Sequence, residues 1–156
     1  MNALELLRED HAAMVSLLQQ AQVGSDANPQ STSDPRPIDR LAAAFAIHAS
    51  LEKRIFYPAF ENFCDARRLV STFSQVNDTI NRLLADLCSG EGFEEEKEAK
   101  LFRLRDLVQQ HLDDHERLMF VPAQELLGAP ILDQLARKME AMKSRRAQSA
   151  TGSLAD

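Results

Sequence analysis

The stretch His111–Pro122, HLDDHERLMFVP, decides how this chain is read. It places two of the chain's four histidines four residues apart in a segment otherwise spaced by aliphatic residues. Leu101, Leu104, Val108, His111, His115 and Leu118 recur at three- and four-residue steps, the period of one face of an α-helix. A core-facing helix position given to an imidazole needs a partner for that ring, because an unpaired polar group in an apolar interior is costly.

Working outward, the same period recurs along the rest of the chain. A first helix is expected over residues 2–23, with Leu4, Leu7, His11, Met14 and Leu18 on one stripe. The run GSDANPQSTSDPRP at 24–37 is rich in turn formers and reads as a linker long enough to cross the end of a bundle. A second helix over 37–64 carries Leu41, Phe45, His48, Glu52, Ile55 and Ala59, with Pro58 bending it near its end. The third, capped by Asp65 and running to about residue 88, has the seam Leu69, Phe73, Val76 or Asn77, Ile80, Leu84 and Leu87, and the glycines of SGEG end it. The fourth runs over 93–127, its acidic start EGFEEEKE suited to the positive end of the helix dipole, with Pro122 distorting its last turns. After Gly-Ala-Pro a short helix is expected over 131–146.

These elements predict an all-α chain: an antiparallel up-down four-helix bundle over residues 1–128, a C-terminal helix within 129–147, and a disordered tail at 148–156. Helices of this length, at about 1.5 Å per residue, span roughly 30–50 Å.

Composition narrows the function classes. The chain has 156 residues, enough for one sizeable core, with 44% apolar and 27% charged residues. A net charge of -6 argues against nucleic acid as a partner, since phosphate neutralisation requires a basic surface. The cations Arg137, Lys138, Lys143, Arg145 and Arg146 read as a solvated helix end rather than a binding arm. The N-terminal residues lack the apolar run of a signal peptide and no stretch approaches a membrane span, so a cytoplasmic protein is expected. Cys64 and Cys88 lack metal or redox spacing and read as reduced, half-buried helix residues. Met14, Met119, Met139 and Met142 read as gap-filling core residues.

All four histidines, His11, His48, His111 and His115, fall where the local period calls for an apolar residue, and so does Glu52. His48 and Glu52, one helical turn apart, can converge on one point, and His111 with His115 repeat that spacing. Imidazole nitrogens with a carboxylate oxygen suit iron, zinc, manganese or copper, and a bundle core supplies the dry shell such a site needs. The ferritin-type alternative requires Glu-x-x-His pairs, and none occurs.

LLREDH at 6–11, HASLEKRIFYPAF at 48–60 and HLDDHERLMFVP at 111–122 together resemble the hemerythrin-like, or HHE cation-binding, family over roughly residues 3–127. The resemblance implies a four-helix bundle holding a non-haem di-iron centre through histidines on all four helices and two bridging carboxylates. It implies roles in binding or sensing dioxygen, nitric oxide or iron rather than catalysis. His11 then matches the first-helix ligand, His48 with Glu52 the second-helix pair, and His111 the fourth-helix histidine. The fourth-helix partner has two registers: His115 four residues on, or Glu116 six before Pro122, as Glu52 is six before Pro58. On a regular helix Glu116 is about 140° from His111 and would join it by approaching from the flank or through a π-bulge, and both His115 and Glu116 are expected near the metal. Asn77 and Phe73 stand where the family has histidines, so the third helix supplies no strong ligand, and His115 can replace the missing imidazole. The reduced set also admits a mononuclear or zinc site. The alternative is a metal-free or zinc-bound regulatory or interaction module that has lost its di-iron centre, with a protein partner or a second copy of the chain as its target. Tyr57 is placed to hydrogen-bond to the shell of the site.

Overall fold

The computed structural model describes residues 1–21, 36–63 and 65–152; most of the expected linker, Cys64 and residues 153–156 lie outside the described residues. Among the described residues the chain is helical, without strands: α1 (Ala3–Gln20), α2 (Pro37–Leu51), α3 (Tyr57–Glu61), α4 (Arg67–Ser89), α5 (Glu94–His115) and α6 (Val121–Gly152). A π-helical turn, Glu52–Phe56, joins α2 to α3 as one rod, and a second, Glu116–Phe120, joins α5 to α6. The rods form a ring in which α1 packs on α2, α2 on α4, α4 on α5, and α6 returns to α1. Cross-links run in opposite directions along neighbours. Arg36 meets Cys88 where Glu52 meets Asn77, Asp86 meets Lys100 where Phe73 meets His111, and Ala21 meets Arg105 where Arg8 meets Glu116. This is the antiparallel up-down bundle expected of four amphipathic helices.

Each prolyl nitrogen lacks a hydrogen to donate to the preceding turn, and each rod absorbs that loss one turn earlier. Tyr57 N–H reaches back to Glu52 O, and Val121 N–H to Glu116 O, five residues rather than four. The extra residue shifts the buried seam by one position. Phe56, Tyr57 and Phe60 are therefore buried where Ile55 and Ala59 were expected, and Met119 and Phe120 where Leu118 was. Distortions were expected at both prolines, but the ordinary period was continued through them.

Helix ends differ in how they are held. Asn2 accepts a hydrogen bond from Glu5 N at 3.0 Å while Glu5 Oε2 accepts from Asn2 N at 2.7 Å, a reciprocal cap that the letters NALE encode. Asn2→Ala should lower stability by about 1 kcal/mol and the melting temperature by about 2–4 °C. An unchanged thermal melt would show that this end frays in solution. Asp65 does not cap α4 as expected; the capping position is Ala66, whose side chain accepts nothing. Gly90, at φ 71°, ends α4 in the left-handed conformation that glycine adopts without strain.

Gly128, at φ 75° and ψ 164°, breaks α6, and the chain beyond it folds back along α1. Leu132, Leu135, Ala136 and Met139 pack with Ala3, Leu4, Leu6 and Leu7 in one apolar cluster. The helix continues through residues 148–152, which had been expected in a disordered tail. Two cations expected to be solvated are engaged: Lys143 pairs with Asp10, and Arg146 Nη2 donates to Ser50 Oγ at 2.9 Å. A second apolar cluster at the other end holds Met14, Phe45, Ile80, Leu84, Leu104 and Val108. Met14, Met119 and Met139 are core residues, as expected. Cys88 is a half-buried free thiol, raised to about 11 by burial and by the neighbouring Asp39.

Candidate metal centre

Between the two apolar clusters lies one polar layer. His11 from α1, His48 from α2, Glu52 at the start of the first π-turn, Asn77 from α4, and His111 and His115 from α5 are all buried there. Each stands on a helix stripe whose neighbours above and below are apolar, so packing of those neighbours forces the polar side chains inward.

Glu52 is the hub, with no exposed surface. Its Oε2 accepts from Tyr57 Oη at 3.0 Å and from Asn77 Nδ2 at 2.9 Å. Its Oε1 lies 2.7 Å from His48 Nε2 and 3.0 Å from His115 Nδ1, yet neither contact has hydrogen-bond alignment. The other nitrogen of His115 explains why. Tyr57 gives its only proton to Glu52, so at 2.8 Å His115 Nε2 must donate to Tyr57 Oη. His115 Nδ1 is left without an aligned partner, 3.0 Å from a carboxylate oxygen. A cation between these two atoms would satisfy both.

His48 bridges the layer. Its Nε2 lies 3.1 Å from His11 Nε2, and its Nδ1 is 3.3 Å from Asp10 Oδ2, which is itself paired with Lys143. Burial pushes His48 down, but the Glu52 charge and the Asp10 hydrogen bond outweigh it and raise the ring to about 9. Burial also opposes ionisation of Glu52, and the His48 and His115 charges overcome it, holding the carboxyl well below its usual range. Desolvation, reinforced by His48, keeps His11 neutral with a value near 2, and desolvation with His115 brings His111 to about 3. Burial and Glu52 push the Tyr57 phenol up, so it remains a donor.

One potential ligand atom from each of His11, His48, Glu52 and His115 lies within 4.8 Å of the other three. Metal bonds to nitrogen and oxygen of about 2.0–2.2 Å place neighbouring ligand atoms roughly 3–4 Å apart, so these four need little movement to share an ion. The donor set and the orphaned Oε1 and Nδ1 atoms fit a transition metal. His111 lies beside this group rather than within it. Its ring is 4.4 Å from that of His115 and 5.2 Å from that of Phe73, and neither nitrogen has a partner.

Glu116 is not brought to the layer. Its carboxylate takes two nitrogens of Arg8, at 2.6 and 2.9 Å, with its side chain 45% exposed. The π-turn that would draw it beside His111 begins at Glu116 itself, too late to shorten that separation. With His115 turned inward, the next residue points about 100° away. Arg8 lies over Phe120, whose ring stacks beneath His11 and His115, so the Arg8–Glu116 pair covers the layer from outside.

Asn77, from which no strong ligand was expected, has a role that was not foreseen: its Nδ2 donates to Glu52 Oε2 at 2.9 Å. Tyr57 meets its expectation. Asp10 and Lys143 were missed, because nothing in the local sequence shows that a lysine 133 positions away reaches the first helix.

A family model described as the hemerythrin HHE cation-binding domain matches residues 2–123. No curated protein and no solved structure matches the chain. No helix among the described residues is long and apolar enough to cross a membrane.

Proposed function

The chain belongs to the hemerythrin HHE cation-binding family, and on that premise we propose that it holds one non-haem iron through His11, His48, Glu52 and His115 and serves to bind or sense a small diatomic ligand. The observation that carries the metal reading is the convergence of one potential ligand atom from each of His11, His48, Glu52 and His115 within 4.8 Å of one another, with Glu52 Oε1 and His115 Nδ1 both buried and without a hydrogen-bond partner. Three imidazoles with one carboxylate suit iron, and also zinc. The family's di-iron arrangement calls for a second carboxylate, and Glu116 is spent on Arg8. That favours a single ion.

Iron held by these four groups would supply a centre able to bind dioxygen or nitric oxide. The chain's own residues do the rest. Asp10 accepts from His48 Nδ1, which directs Nε2 into the layer. Tyr57 and Asn77 fix Glu52 Oε2 and leave Oε1 for the ion. Phe45, Phe73 and Phe120 exclude water from the surroundings.

Protein produced in medium containing both iron and zinc should carry about one metal per chain by elemental analysis. Glu116→Gln should retain that stoichiometry. Two ions per chain would restore the di-iron reading, and none would favour a metal-free helical module.

A further inference from the structure

On the outer side of the same helices, a cleft of about 470 Å³ opens between α2 and α4. Its floor includes Tyr57 and Asn77, the two groups that donate inward to Glu52. Lys53 and Arg54 line it, and neither forms an ion pair among the described residues. Arg146 comes within 2.9 Å of Ser50, another lining residue, and Asp78 is the one carboxylate in the lining. Two cations thus line one concavity, with Arg146 adjoining it through Ser50, in a chain whose net charge is -6. Ser74 and Asn81 add neutral groups that both donate and accept. Asn77 Oδ1 is buried with no partner, an acceptor left over at the floor.

We infer that this cleft is a second site, binding a small hydroxylated organic anion whose acidic group meets Arg54 and Lys53 and whose hydroxyls meet Ser74 and Asn81. The volume falls within the range of small-molecule sites, roughly 300–1,000 Å³. The guanidinium fork matches carboxylate and phosphate alike. Because Tyr57 and Asn77 belong both to the floor and to the shell of Glu52, an occupied cleft alters metal affinity, and metal alters anion affinity by the same factor. This coupling rests on the metal-centre reading; the anion site does not.

The test titrates the metal-free full chain with malate and, separately, with glycerol phosphate at fixed ionic strength, followed by calorimetry. One probe should bind saturably at one site per chain, and which one does so distinguishes a carboxylate from a phosphate source. Lys53→Gln with Arg54→Gln, both exposed and so harmless to folding, should weaken binding at least about tenfold. Ser74→Phe should block it by filling the cleft. No saturable binding of either probe, or equal binding by the double variant, would overturn the site. Repeating the titration with metal-loaded protein reads the coupling: saturable binding with unchanged affinity removes the coupling and leaves the anion site standing.

Discussion

Glu52→Ala is expected to abolish metal binding and to destabilise the metal-free protein by about 3–5 kcal/mol, the cost of removing one partner from a buried ion pair. His48, held up near 9 by that carboxylate, would lose its main reason to carry charge and would neutralise. Tyr57 and Asn77 would each lose the acceptor they share, leaving two further buried donors unpaired. Urea denaturation and metal analysis measure the two effects separately. Full stoichiometry in the variant would remove Glu52 from the ligand set, and unchanged stability would show that solvent already reaches the layer. Glu52→Gln refines the result, because it keeps an oxygen acceptor for Tyr57 while removing the charge. It should retain more stability than the alanine variant and equally little metal.

His115→Ala should weaken metal binding by more than about a hundredfold, since loss of a direct ligand exceeds the roughly 10–100-fold effect typical of an outer partner. Asn77→Ala, which removes only the support for Glu52 Oε2, should fall within that smaller range. Glu116→Ala should leave affinity unchanged and cost at most about 1 kcal/mol of stability, because its partner Arg8 is also well exposed and water screens the pair. The ordering of the three dissociation constants is the measurement. If Glu116→Ala proved the most damaging, the fourth rod would use the other register and His115 would be only a satisfied core imidazole. The double variant Asn77→His with His115→Glu should then show whether the family's own pattern can be rebuilt in this core, read as a rise from one metal ion per chain to two.

Much of this was legible in the letters, and for definite reasons. Leu4, Leu7, Met14 and Leu18 on α1, like Leu101, Leu104 and Val108 on α5, repeat with the period of a helix face, and that period is a local property. His11, His48, Glu52 and His115 interrupt such stripes, so their burial followed from their neighbours. Pro58 and Pro122 announced the bends.

What only the tertiary structure decided concerns direction and partnership. Whether His115 or Glu116 faces inward depends on where the π-turn begins and on Arg8 waiting across the bundle to take the carboxylate. The one-residue shift of the seam to Phe56, Phe60, Met119 and Phe120 depends on how the helix relieves a missing proline hydrogen bond, and the sequence shows the proline but not the chosen relief. Asp10 meets His48 because α1 packs on α2, and it meets Lys143 because Gly128 turns the last helix back along the first. A helical period is fixed by neighbours three and four residues away, whereas a hydrogen bond in a bundle core joins residues separated by most of the chain, and only packing determines which of them meet.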